Sequence, residues 1–138
     1  MKTILYLSMI FLLFGCASTV HVPDGVDTEK STSHAYLLTE TAHIEKNSEG
    51  EEERIYLINL DDEYLYRMGK DFEFPQQSYL AEGQHQIRVK YEFENRSAIG
   101  CLWLPAKVGE RYVVKKELKE FSVVFWIENE QSGQEVGG

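Results

Sequence analysis

The sequence predicts an all-β protein, a small antiparallel β-sandwich of about seven strands. Short runs of β-branched and aromatic residues recur along it, Gly, Pro, Asn and Asp punctuate them, and no segment keeps the apolar period of a strongly amphipathic helix. The clearest pattern runs from His85 to Phe93. There His85, Ile87, Val89, Tyr91 and Phe93 alternate with Gln86, Arg88, Lys90 and Glu92, which predicts a strand with one buried and one wet face.

The chain opens differently. Ile4 to Phe14 is almost uninterruptedly apolar, preceded by Lys2 and closed by Leu13-Phe14-Gly15-Cys16. The run falls short of the about 20 residues that cross a bilayer as a helix, and its length suits the hydrophobic part of a secretory signal peptide. Its end resembles the lipobox of bacterial lipoproteins. The resemblance implies cleavage between Gly15 and Cys16, with Cys16 then carrying a diacylglyceryl thioether and an acylated amino group. Residues 1–15 are thus expected to be a signal peptide. Residues 16–33, polar and holding Pro23 and Gly25, are expected to be a lipidated flexible tether, and residues 34–138 the folded domain.

Within that domain, His34 to Ile44 is expected to supply the first strand and Glu45 to Glu53 an exposed acidic turn. Arg54 to Leu60 reads as a strand ended by the turn signal Asp61-Asp62. Tyr64 to Gly69 is a short apolar piece, and Pro75 argues for irregular or edge structure over 70–77. Gly83 stands where the chain turns into the His85 strand. Ile99 to Leu104 is the next strand, 105–109 a break, and Glu110 to Val114 another strand. Val114, Leu118 and Phe121 also fit one side of a short helix, so a helical turn over 115–120 is the alternative there. Ser122 to Glu128 is apolar on both faces and reads as a central or doubly covered strand.

The 138 residues suit one domain with a single modest core. Loss of residues 1–15 removes only Lys2 among the charged residues, leaving 13 Lys and Arg against 23 Asp and Glu. Nucleic acid is not an expected partner, because binding it draws on clustered cations that neutralise phosphates. Attachment to a membrane is expected through the lipid at Cys16 rather than through charge. With Cys16 lipidated, Cys101 has no intramolecular partner. Its place in Ile99-Gly100-Cys101-Leu102-Trp103-Leu104 predicts a small core residue, the other reading being a reactive or dimer-forming thiol.

Three further pieces carry a family likeness. These are Leu80-Ala81-Glu82-Gly83-Gln84-His85 continuing to Tyr91, Gly109-Glu110-Arg111-Tyr112, and Ile127-Glu128-Asn129 continuing to Gly133. Together they resemble a pattern found in a family of small uncharacterised bacterial lipoproteins, and the first also looks like the opening of a PEGA-type β-sandwich domain. The resemblance covers the second half of the mature chain and implies fold and envelope location rather than an activity.

No catalytic, metal or cofactor motif is found in the sequence: there is no nucleophile elbow, phosphate loop or zinc pair. His85 is expected to be a hydrogen-bonded structural residue. His34 and His43, at odd spacing in one strand, would point to opposite faces. Most aromatics must fill the core, and Tyr64, Tyr66 and Phe72, in the least regular segment, are the expected partner surface. The expected function is non-enzymatic, an interaction or structural role in the cell envelope with an envelope protein as partner. Ala17, where Asp would favour inner-membrane retention, points to the outer membrane facing the periplasm. The alternatives are a small apolar or glycan ligand held between the sheets and, least supported, a hydrolase.

Overall fold

The computed structural model describes residues 20–30, 32–44, 52–66 and 74–138. Ten strands follow one another: β1 (Val20–His21), β2 (Ala35–Thr39), β3 (Arg54–Leu60), β4 (Glu63–Tyr64), β5 (Gln77–Leu80), β6 (Gly83–Phe93), β7 (Arg96–Ala106), β8 (Arg111–Leu118), β9 (Val123–Asn129) and β10 (Glu135–Gly137). They form a six-stranded sheet in the order β1-β5-β2-β8-β9-β10 and a four-stranded sheet in the order β4-β3-β6-β7. The two sheets pack face to face as a small all-β sandwich. Most pairs are antiparallel, but β1–β5 and β2–β8 are parallel.

The core is what the alternation of β6 requires. Ile87, Val89 and Tyr91 are fully buried, and they meet Ile55 and Leu57 of β3, Leu104 of β7, Leu37 of β2, Val114 of β8 and Ile127 of β9. This apolar layer excludes water across the whole sandwich, and burial of that surface drives folding. The space between the sheets is occupied by these side chains. The β6–β7 hairpin turns on Glu94 and Asn95, with Glu94 at φ 52°. Its register is unbroken from Phe93–Arg96 to Gly83–Ala106.

That register corrects the expectation for Cys101. Arg88 faces water, Cys101 stands opposite Arg88, and cross-strand partners share a face, so the thiol is exposed rather than in the core. An apolar run has no parity of its own; the hairpin assigned it.

Three other expectations shift. Leu118 ends a strand instead of a helical turn, because β8 pairs with β9 as far as Leu118–Val123, and Lys119 and Ser122 then close the hairpin. On β9, Val123 and Ile127 face inward while Val124 is 44% exposed, so its second face is not covered. The reading of 16–33 as a tether fails at Val20–His21, which add to the sheet beside β5. His21 is buried there, and its Nε2 lies 3.3 Å from Glu63 Oε2, off hydrogen-bond alignment. Two residues suffice for this parallel edge strand because β5 pairs with it and His21 packs against Glu63 of the other sheet. His34 precedes β2 and His43 follows it in a turn, so the two do not share one strand.

The sheets are joined at several places besides the core. Leu57 N–H donates to the Pro75 carbonyl at 2.8 Å, and Trp103 and Gly138 exchange backbone hydrogen bonds at 3.2 and 3.3 Å. Lys116 of β8 reaches across to Glu53, just before β3, at 2.7 Å. Of the expected acidic turn, residues 45–51 lie outside the described residues. Glu53 and Glu52, at its end, are half-buried.

Candidate partner-binding surface

Register places the outward side chains of the four-stranded sheet in rows. Tyr64 of β4 stands beside Asn59 of β3, Asn59 beside Arg88 of β6, and Arg88 beside Cys101 of β7. Tyr56, Lys90 and Ile99 form the next row toward the β6–β7 turn, and Gln86 with Trp103 continues the surface the other way. The outcome is an open face with cations at its centre and apolar rings toward both edges. Ile99 and Trp103 are about half exposed.

The aromatic edge is built from β4 and the segment entering β5. Leu65, next along the chain, is buried in the core, so alternation turns Tyr64 outward. Tyr64 is 63% exposed and stacks with Tyr66 at 6.1 Å between ring centroids. Phe74 meets both rings edge-on, at 5.5 and 5.1 Å, and approaches Tyr56 at 6.5 Å. Such ring pairs add to the stability that area alone supplies. Tyr64 and Tyr66 are therefore brought together. Phe72, the third residue expected here, lies outside the described residues, as do Gly15 and Cys16. Phe74 went unrecognised in the sequence; its position before Pro75, which sends the chain back toward β3, was the available signal.

Chemically the face offers flat apolar rings beside hydrogen-bond donors. Lys90 pairs with Glu92 at 2.8 Å, Arg88 is exposed, and Gln86 Nε2 donates to Cys101 Sγ at 3.1 Å. A shallow depression of about 440 Å³ is lined by Asn59, Asp61, Gln86, Arg88, Ile99 and Cys101. Burial, and then the charge of Glu92, raises the Tyr56 phenol above its ordinary value of 10.0. Among the described residues no group of three or more His, Cys, Asp or Glu could hold a metal ion.

His85, buried on the inner side of β6 beside outward Gln86, braces two turns. Its Nδ1 lies 2.8 Å from Asp61 Oδ2 and its Nε2 2.6 Å from the Ala81 carbonyl. Asp61, at φ 54°, also accepts from the Gln86 N–H at 3.0 Å through Oδ1. One carboxylate thus fixes the β3–β4 turn against β6, as befits a structural histidine. His85→Ala is expected to cost about 1.5 kcal/mol, since both acceptors sit near the surface and water replaces the ring. Urea denaturation measures it, and an unchanged midpoint would contradict the bracing role.

A second aromatic group lies on the outer face of the larger sheet. His34 meets Tyr79 edge-on at 4.8 Å, Tyr36 meets Tyr79 at 5.1 Å, and Arg111 lies 4.7 Å over the Tyr36 ring. Tyr36 and Tyr79 are cross-strand partners far apart in sequence, so no local pattern announced them. Burial, followed by Tyr79, raises the Tyr36 phenol above 10.0.

Comparison with protein-family models, curated proteins and solved structures finds no match to this chain.

Proposed function

We propose that this protein is a non-enzymatic envelope lipoprotein, anchored by lipid at Cys16, whose sandwich binds a protein partner through the outer face of its four-stranded sheet. One observation carries the reading: Tyr64, the most exposed of the tyrosines that cluster there, is held by Tyr66 and Phe74 at the edge of an open face. Clustered, preorganised aromatics are the residues that dominate protein interfaces, because they bury much area while losing little side-chain freedom. The lipobox-like end of the apolar run supports the anchor, Ala17 the outer membrane and its periplasmic side, and the motifs around Gly83 and Tyr112 the likeness to small bacterial lipoproteins, the first of them also PEGA-like.

Photo-crosslinking in intact cells tests both halves. A photoreactive residue at Asn59 is expected to capture an envelope protein. Tyr64→Ser with Tyr66→Ser is expected to cut that capture at least tenfold while the melting temperature moves little. Undiminished capture in the double variant would remove the partner surface. Cys16→Ser is expected to leave the membrane fraction or persist as precursor, and the same fractionation and migration as wild type would end the anchor reading.

A further inference from the structure

The first strand begins only a few residues beyond Cys16, which changes what lipid attachment at that residue would mean for the domain. The chain from Cys16 to Val20 spans at most ~14 Å when fully extended, whatever path it takes. Val20 pairs with Gln77, Gln77 with Leu38, and Leu38 with Val113, so all four stand level in the larger sheet. Because β1 runs parallel to β5, the chain ahead of Val20 arrives from the end where β5 begins. Strand β8 runs toward that same end, since it is parallel to β2, and β2 is antiparallel to β5. From Val113 to Leu118 it rises ~17 Å, and the hairpin turn lies beyond. The β8–β9 tip therefore projects at least as far as Cys16 can reach.

The tip is apolar and stiff. Phe121 is 92% exposed and Leu118 46%, while Ile44, 38% exposed, stands at the same end. Arg96 donates through Nη2 to the Lys119 carbonyl at 2.6 Å and to the Ser122 carbonyl at 2.9 Å, which pins the turn and keeps Phe121 from folding back. At the opposite end, among the described residues, the turns at 61–62, 81–82, 107–110 and 130–134 carry no large exposed apolar side chain themselves, and Val22 and Tyr64 are the exposed apolar residues nearest them. Lys119 answers Glu117 at 3.2 Å and leaves Glu120 unbalanced, so the tip carries a net negative charge and its fit is to a zwitterionic lipid surface rather than an anionic one.

We infer that the β8–β9 hairpin tip is a second membrane contact, with Phe121 and Leu118 entering the headgroup region of the leaflet that holds the Cys16 lipid. The inference rests on the lipoprotein reading above. Two attachments, one covalent and one an apolar wedge, fix orientation where one acylated residue alone would leave the domain free to swing. They set the strands upright and leave the Tyr64 face turned sideways, open to a partner.

The test uses the full-length protein purified from membranes with Cys101→Ser and a single environment-sensitive fluorophore, attached at Phe121→Cys, Tyr64→Cys or Gln131→Cys. Each is reconstituted in phosphatidylcholine–phosphatidylethanolamine vesicles containing brominated phosphatidylcholine. Bromine is expected to quench the label at 121 at least threefold and leave that at 131 unchanged. Quenching at 64 with none at 121 would overturn the inference in favour of a domain lying on its side. Quenching at neither would overturn it in favour of a domain held clear of the bilayer. Intact mass of the same samples reports the acyl chains separately: lipidated protein with an unquenched label at 121 sinks the hairpin contact alone, whereas protein without acyl chains sinks the anchor and the inference built on it.

Discussion

Gly137→Ala is expected to lower stability by about 3 kcal/mol, the largest effect of a methyl group added at any glycine among the described residues. A Cβ at Gly137 would lie 2.5 Å from the Trp103 carbonyl oxygen and 3.3 Å from Ile127 Cβ. Both belong to paired strands, so neither gives way as a side-chain tip would. The carbonyl is also the one that accepts from Gly138 N–H in the reciprocal pair joining β7 to the C-terminus. To relieve the contact, β10 must leave β9, which uncovers Ile127 and strands the hydrogen bonds of Trp103. Gly100 offers the contrast. A Cβ there meets only the ring of partly buried Phe125, which can swing aside, so Gly100→Ala is expected to cost less. Urea unfolding ranks the two, and a Gly137→Ala protein within 0.5 kcal/mol of wild type would show that β10 is dispensable.

Lys116→Met is expected to cost about 2 kcal/mol at neutral pH and progressively less in strong alkali. Lys116, its side chain 10% exposed, bridges Glu53 at 2.7 Å and Glu40 at 3.5 Å and lies 5.5 Å over the Tyr91 ring. Tyr91 O–H donates to the other Glu53 oxygen at 3.1 Å. Removal of the cation leaves two carboxylates facing each other between the sheets; because both remain partly wet, the loss falls below that of a fully buried pair. The pH dependence follows from direction. Burial alone would lower the Lys116 value, but the hydrogen bond to Glu53 and the charges of Glu40 and Glu53 outweigh it and raise it above 10.5. A raised folded-state value contributes fully below 10.5 and is lost as pH climbs through it. Burial and the Glu53 hydrogen bond also raise Tyr91 above 10.0, so the unfolded chain loses that proton first and stability falls in the same alkaline range. Denaturation at pH 8 and pH 11 checks both, with the gap between wild type and Lys116→Met narrower at the higher value. A gap that stays constant would show that Lys116 acts through packing of its stem alone.

The aromatic face divides between pattern and topology. Tyr64 and Tyr66 were recognisable as surface aromatics because they fall in a segment too irregular to hide them. Phe74, which joins them, is brought there by the backbone hydrogen bond between Leu57 and Pro75, and Arg88 and Lys90, which adjoin them, by the β3–β6 pairing. Cys101 and Trp103 lay in a run apolar at every position, where alternation has no phase. Only the partner strand supplies it.

Local chemistry alone was sufficient for the all-β class, the strand Arg54–Leu60, the alternation of β6 and the turn after Leu60, since each depends on residues a few positions apart. Pairing over long separations decided the rest: that Val20–His21 belongs to a sheet, that Cys101 faces water, and that Lys116 meets Glu53 across the sandwich. A strand carries its own period of two but neither its neighbours nor its phase. Those are chosen when the apolar faces of ten strands are buried together, and that collective minimum is a property of the folded whole.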